Sequence, residues 1–164
     1  MTDGQPTPPM ARPRIAAGAL FFDGHDRVLL VQPSYKQNLD LPGGYVEPGE
    51  APLAGCMREV HEELGIKPTI GSLLVVDWAP NPGEGDKILF VFDGGVLRPE
   101  DQAQIRLCAE EITSYAFYDP AELDRVVMPR LARRILLAIE AHRMRQTWYA
   151  EHGTVSTCLV PPEA

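Results

Sequence analysis

Apolar and polar residues follow one another along this chain in blocks of differing period, and each change of period marks a predicted element. Residues 15–22, IAAGALFF, are almost unbroken apolar sequence and predict a buried strand. The turn Asp23-Gly24-His25-Asp26 leads into RVLLVQ at 27–32, so the two runs predict a hairpin. Residues 33–49 hold too many turn formers for regular structure and predict a loop. A helical period takes over at 51–64 and stops at Gly65, a residue suited to the left-handed C-terminal position. Within it Leu53, Met57, Val60 and Leu64 recur at helical spacing and predict one apolar stripe. Strands are predicted at 70–78 and 87–92, separated by APNPGEGD, a polar loop whose prolines and glycines exclude strand pairing. Another strand is predicted at 113–118, then a short helical turn from Asp119-Pro120. Pro129 opens a last helix over about 130–146, with Leu131, Ile135, Ala138, Ile139 and His142 as its buried stripe.

Helices inserted among strands predict one α/β sandwich domain over 14–150. Residues 1–13, with Pro6, Pro8, Pro9 and Pro13 among small polar residues, predict a disordered leader. Residues 151–164 form a tail without an assigned element, and no internal repeat is present. The 164 residues suit a single domain with a sizeable core.

Charge narrows the partners. A formal net charge of −8 disfavours nucleic acid and anionic membrane surfaces as partners of the whole molecule, and a phosphate ligand needs local cations or metal. Cys56, Cys108 and Cys158 are odd in number and form no CxxC pair, which argues against a disulfide framework or structural zinc and for a reducing cytoplasm. No apolar run approaches bilayer length, and no signal-peptide core is visible. Between residues 125 and 145 six arginines face a single Glu140, a local +5 (6 − 1), read first as the polar surround of an amphipathic helix.

The chemistry concentrates on the 51–64 helix. Glu59, Glu62 and Glu63 stand at i, i+3 and i+4, neighbours on one helical face that repel one another unless a cation intervenes. Oxygen-only ligands favour a hard divalent ion, Mg²⁺ or Mn²⁺. Such an ion serves phosphoryl chemistry by bridging phosphate oxygens, neutralising charge and activating water. Gly43 and Gly44, just upstream, let backbone approach the ion or phosphate closely. Arg58 suits bidentate pairing with a carboxylate, Glu50 first, as an orienting residue rather than a phosphate ligand. His61-Glu62 begins HExxH, but Gly65 fills the second histidine position and excludes a zinc protease.

The stretch 44–66 is similar to the signature of the Nudix hydrolases: G, five residues, E, seven residues, REUxEExGU, with U aliphatic. Gly44, Glu50, Arg58, Glu59, Val60, Glu62, Glu63, Gly65 and Ile66 fill its nine constrained positions, and the lead-in Leu41-Pro42-Gly43-Gly44 is typical. The resemblance implies an α/β/α sandwich around a mixed sheet. It implies an Mg²⁺- or Mn²⁺-dependent pyrophosphohydrolase acting on a small nucleotide substrate, a nucleoside diphosphate linked to a further moiety X. It makes Glu59, Glu62 and Glu63 metal ligands, with the Gly43 carbonyl as a further one, and Glu62, Glu63 and Arg58 catalytic. Family members often add an acidic residue from a late loop as ligand or general base, which points to Glu111, or Glu110. Where many nucleotide-cleaning members carry an aromatic residue two places before the LPGG leucine, this chain has Leu39.

Secondary markers leave the substrate open, with ADP-ribose or a nucleotide sugar leading. PNPGEGD is loosely similar to the loop of the ADP-ribose class. Trp78 and Pro82 are candidate substrate contacts, although packing or loop lining is the first reading of Trp78 and also of Tyr45. The alternatives are a nucleoside triphosphate pyrophosphohydrolase that clears damaged nucleotides, and a silent nucleotide sensor. Family habit leaves a homodimer open.

Overall fold

β1 (Arg14–Phe22) is the axis of the structure, a computed structural model that describes residues 9–155. Its side chains alternate between two cores: Ala17, Ala19 and Phe21 enter one, Leu20 and Phe22 the other. A strand buried on both faces has no solvent positions to mark, so 15–22 reads as nearly continuous apolar sequence. β5 (Lys87–Val96) runs parallel to it, from Arg14 opposite Lys87 to Phe22 opposite Val96, with one register shift after Leu20. The other edge of β1 is shared. β3 (Gly43–Tyr45) pairs antiparallel with Ala16, Ala17 and Gly18, and β2 (Val28–Pro33) joins through Val28 opposite Phe22.

β6 (Ile112–Tyr118) extends the sheet beyond β2, and β4 (Leu73–Trp78) extends it beyond β5. The hairpin of β7 (Trp148–Glu151) and β8 (Thr154–Val155) completes the order β6-β2-β1-β5-β4-β7-β8, with β3 beside β1. β4 and β7 are parallel, so the sheet is mixed. α1 (Pro52–Leu64) covers one face through Cys56, Val60 and Leu64. α4 (Pro129–Met144), assisted by the short α3 (Leu123–Val126), covers the other through Leu131, Ile135, Ala138 and Ile139. α2 (Pro99–Gln102) and a 3-10 turn (Pro120–Glu122) are brief connectors. The architecture is the expected α/β/α sandwich.

Several local expectations are corrected. The segment 33–49 is not all loop, since Gly43 and Gly44 belong to β3. A Cβ on Gly43 would lie 2.3 Å from the Ala17 carbonyl oxygen and 2.4 Å from the Gly18 Cα, and its φ is 145°. The paired glycines read as turn formers, yet they serve close strand approach. The loop between β4 and β5 also carries one bridge, Asn81 opposite Gly85.

The stripe expected on α1 is rotated. Val60 and Leu64 are buried, but Leu53 is 39% and Met57 50% exposed, and Cys56 and Glu63 take the inner positions. On α4 His142 is half-buried; it binds Asp93 at 2.7 Å and its ring packs on Phe22. The β7–β8 hairpin carries the sheet past residue 150 to Val155. Residues 9–13 carry no helix or strand, while 1–8 and 156–164, with most of the expected leader and tail and Cys158, lie outside the described residues. No helix among the described residues is long and apolar enough to cross a membrane.

Candidate active site

The carboxylate helix is fixed at both ends by backbone devices. Pro52 occupies its first turn, where a missing N–H costs nothing. Gly65 ends it in the left-handed conformation (φ 70°), and its N–H donates to the His61 carbonyl. A Cβ there would lie 2.8 Å from the Arg106 carbonyl oxygen, so only glycine lets the next loop close in. That loop docks on the helix end: Arg106 N–H donates to the Leu64 carbonyl at 2.8 Å and Cys108 N–H to that of Glu63 at 3.3 Å. It thereby delivers Glu111 toward the helix, and the Glu111 charge opposes ionisation of both Glu59 and Glu63.

Arg58 organises the helix surface. Its Nε and Nη2 donate to the two oxygens of Glu50, both at 3.0 Å, the bidentate pairing expected from the sequence. Nη1 reaches Glu59 at 2.8 Å and Glu62 at 2.9 Å, and Nη2 also donates to the Tyr45 carbonyl at 3.0 Å. Glu50 is in turn held by the Glu47 N–H at 2.9 Å. Hydrogen bonding to Arg58 holds the Glu50 carboxyl below the usual range and drives the guanidinium's own pKa up. Arg58→Ala is expected to weaken Mg²⁺ binding about 10–100-fold, as loss of outer-shell partners typically does, measured by calorimetric titration.

The three glutamates do not share one exposed face. Glu62 is exposed, Glu59 is half-buried, and Glu63 is turned inward at 7% exposure, accepting the Gly43 N–H at 2.9 Å. The Glu59 carboxylate lies against Gly44, where a Cβ would come within 2.5 to 2.6 Å of it. Among the described residues no three acidic, histidine or cysteine side chains converge into a ready cage, and Arg58 pairs with Glu59 and Glu62. The donor set is nonetheless all oxygen, and a glycine approaches it without a side chain, which fits a hard divalent ion.

Burial pushes the Glu63 carboxyl up to about 8, and the charges of Glu59, Asp40 and Glu111 add to the rise against the Gly43 N–H. Between the ordinary glutamate range and pH 8 the metal-free folded protein therefore holds a proton that the unfolded chain has released. Stability should fall as pH rises through this window. A bound divalent cation favours the ionised form and should reverse the trend. Melting temperatures in EDTA and in Mg²⁺ from pH 5 to 9 check this, and Glu63→Gln should abolish the EDTA slope attributable to this group.

A cleft of about 280 Å³ opens beside the glycine turn. Ala16, Ala17 and Gly18 of β1 leave room on its floor, and Gly43, Gly44 and Tyr45 form one rim. Tyr35, Lys36 and Asp40, which lie in the 33–42 loop, line it too, and Leu131 and Arg134 of α4 line it as well. An adjoining pocket shares Lys36, Asp40, Lys87 and Arg134 with it and adds Ala79, Asn81 and Arg130. Tyr45 Oη donates to Glu84 at 3.0 Å and Lys87 Nζ stands 4.9 Å from the Tyr45 ring centre, which ties the β4–β5 loop to the glycine turn. Leu39 lines the adjoining pocket. Trp78 sits at the end of β4 opposite Ile88 and Glu151. Neither it nor Pro82 lines this cleft or its neighbour; Ala79, Asn81 and Glu84 of the same loop do.

A buried pair at the cleft wall escaped sequence reasoning. Asp77 is fully buried in β4, and Arg134, read as part of a polar surround, is buried against it at 2.6 Å. A visible signal existed in each case: Asp77 interrupts LLVVDW, and Arg134 falls three residues after Leu131 on the inward side of α4.

Known proteins fit this geometry. The family described as the NUDIX domain matches residues 12–138. An ADP-ribose pyrophosphatase of Methanocaldococcus jannaschii is 33% identical over 100 residues, 56% of this chain and 59% of the relative. Diphosphoinositol polyphosphate phosphohydrolase 3-alpha of Homo sapiens is 48% identical over 52 residues, 31% of this chain and 32% of the relative. The chain thus spans less than two thirds of these curated relatives. Among solved structures, a MutT protein from Methanosarcina mazei Go1 matches with a TM-score of 0.67 at 26% identity, over 85% of this chain and 100% of that one. A UDP-X diphosphatase shares the fold, with a TM-score of 0.68 at 22% identity over 89% of this chain and 70% of that one. A domain match over most of the chain, a common fold and the glutamate helix behind its glycine turn make this protein a member of the NUDIX family.

Proposed function

We propose that this protein is a divalent-metal-dependent pyrophosphohydrolase that cleaves the diphosphate linkage of a nucleoside diphosphate joined to a second moiety, with ADP-ribose or a nucleotide sugar leading. The observation that carries this reading is the carboxylate set of Glu59, Glu62 and Glu63, organised by Arg58, with Glu63 bound to the glycine rim of the cleft. The relative named ADP-ribose pyrophosphatase supports the substrate choice.

In this reading Glu59, Glu62, Glu63 and the Gly43 carbonyl hold Mg²⁺ or Mn²⁺, which when bound neutralises the diphosphate and lowers the pKa of water. Arg58 keeps the glutamates oriented and Glu50 keeps Arg58 in place. Glu111 accepts the proton of the attacking water, a role that suits a carboxylate whose charge already bears on Glu59 and Glu63. Gly43 and Gly44 admit the phosphates against backbone. Lys36, Lys87 and Arg130 offset the repulsion that a protein of net charge −8 exerts on an anionic substrate. Substrate contacts from the β4–β5 loop come from Ala79, Asn81 and Glu84, with Trp78 and Pro82 shaping that loop.

The test is a panel of ADP-ribose, nucleotide sugars, nucleoside triphosphates and dinucleoside polyphosphates with Mg²⁺ or Mn²⁺, products resolved by chromatography. Release of a nucleoside monophosphate from ADP-ribose or a nucleotide sugar, abolished by EDTA, is expected. Hydrolysis of none of them, with a nucleotide still raising the melting temperature, would replace the enzyme by a sensor.

A further inference from the structure

We propose that Arg134 is a specificity-determining residue, and that the α4 end of the cleft receives an oxyanion carried by the part of the substrate remote from the scissile diphosphate. The inference rests on the cleft being the substrate cleft, as proposed above, and narrows the substrate within that reading: a nucleotide sugar whose sugar carries a carboxylate or phosphate moves ahead of ADP-ribose, whose terminal ribose is neutral.

Arg134 is 6% exposed, and its Nε donates to Asp77 Oδ2 at 2.6 Å. Buried arginine–carboxylate pairs frequently meet fork to fork, two N–H groups on two oxygens. Here the second oxygen, Asp77 Oδ1, instead accepts the Gly153 N–H at 3.0 Å. That donor is fixed in place, because the turn holding Gly153 (φ 75°) packs so closely on α4 that a Cβ would lie 2.8 Å from both the Arg130 carbonyl oxygen and the Arg134 nitrogen. Arg134 is therefore held by one nitrogen. Its two Nη groups make no hydrogen bond among the described residues and neither is fully buried, and Arg134 lines both the cleft and the adjoining pocket. Nη donors without a protein partner are left to solvent, and an anionic ligand replaces that solvent with charge-assisted hydrogen bonds.

The charge around them identifies the acceptor. α4 brings Arg130 and Arg134 to this end and no carboxylate, against the Asp77 behind Arg134, a balance of +1 (2 − 1) in a protein of net charge −8. Lys36 is paired with Asp40 and Lys87 with Glu84, whereas Arg130 makes no ion pair among the described residues. The cleft is thus polar along its length, with carboxylates behind the glycine rim and net positive charge at α4. A planar pair of Nη donors there fits a phosphate or a carboxylate. Neutral sugars satisfy these donors less well.

Equilibrium binding in EDTA isolates this end, since without a divalent ion the glutamate cluster repels anions. Calorimetric titration with ribose 5-phosphate, glucuronate and ribose separates a phosphate from a carboxylate source and both from a neutral sugar. The expected result is binding of one or both anions at least tenfold tighter than ribose, and loss of that preference in Arg134→Lys, which keeps a charge facing Asp77 without the fork. The double variant Asp77→Leu with Arg134→Met, which replaces the pair by apolar groups of similar size, supplies a second folded protein without the guanidinium, and melting curves verify both. For whichever substrate turns over, Arg134→Lys should raise KM more than it lowers kcat when the remote moiety carries the anion. No preference for an anion in the wild type, or a preference untouched in both variants, overturns the proposal. Arg134-dependent binding without hydrolysis of any panel substrate sinks the catalytic reading alone, and hydrolysis with Arg134-independent binding sinks this one alone.

Discussion

Glu62→Gln and Glu63→Gln should each lower kcat/KM for the preferred substrate by about three orders of magnitude, with the fold intact. The size follows from the several kcal/mol that metal charge contributes to phosphoryl transfer, each 1.4 kcal/mol being tenfold. The two variants reach the same loss from different surroundings. Glu62 is exposed, and its contact with Arg58 at 2.9 Å is a surface ion pair, worth at most about 1 kcal/mol of stability. Glu63 is buried, but glutamine can still accept the Gly43 N–H and carries no charge for burial to oppose. The metal-free Glu63→Gln protein should therefore be as stable as the wild type or more so above neutral pH. Each variant should also lose most of the Mg²⁺-induced rise in melting temperature. Retained activity in Glu62→Gln, at any Mg²⁺ concentration, would remove Glu62 from the metal set.

The helix that carries these residues shows how far the sequence can be read. Its limits, its Gly65 terminator and the Arg58–Glu50 pair were legible, because they depend on residues within one short window. Its buried face was misjudged. A stripe of Leu53, Met57, Val60 and Leu64 assumes that carboxylates face solvent, whereas Glu63 turns inward to bind Gly43 and leaves Leu53 and Met57 in water. A buried carboxylate that violates the polar-outside rule rotates the whole assignment. The glycine turn misled for a related reason: Gly43 and Gly44 look like loop, yet they form β3 because only glycine tolerates such close backbone approach to β1. β7 and β8, four and two residues long, are too short to show a period of their own. The six-arginine stretch hid the one member that turns inward, since Asp77, the partner of Arg134, lies 57 residues away.

That distant pair also sets the largest stability effect expected of a single substitution. Asp77→Ala leaves the Arg134 charge buried without a partner and the Gly153 N–H without an acceptor. Removing one member of a buried pair typically costs about 3–5 kcal/mol. For a domain of this size that corresponds to a fall in melting temperature of roughly 10 °C, measurable by denaturant and thermal unfolding. Asp77→Asn should cost less, because the amide oxygen still accepts the Gly153 N–H. The double variant Asp77→Leu with Arg134→Met should recover most of the loss, since apolar replacement of a buried ion pair is often neutral or stabilising. A cost below about 1 kcal/mol for Asp77→Ala would mean that water reaches Arg134 freely, contrary to its burial. If the single variant is costly and the double variant is not, the pair adds little net stability of its own. Its effect is then positional: Asp77, itself held by the Gly153 turn, fixes one nitrogen of an arginine that lines the cleft.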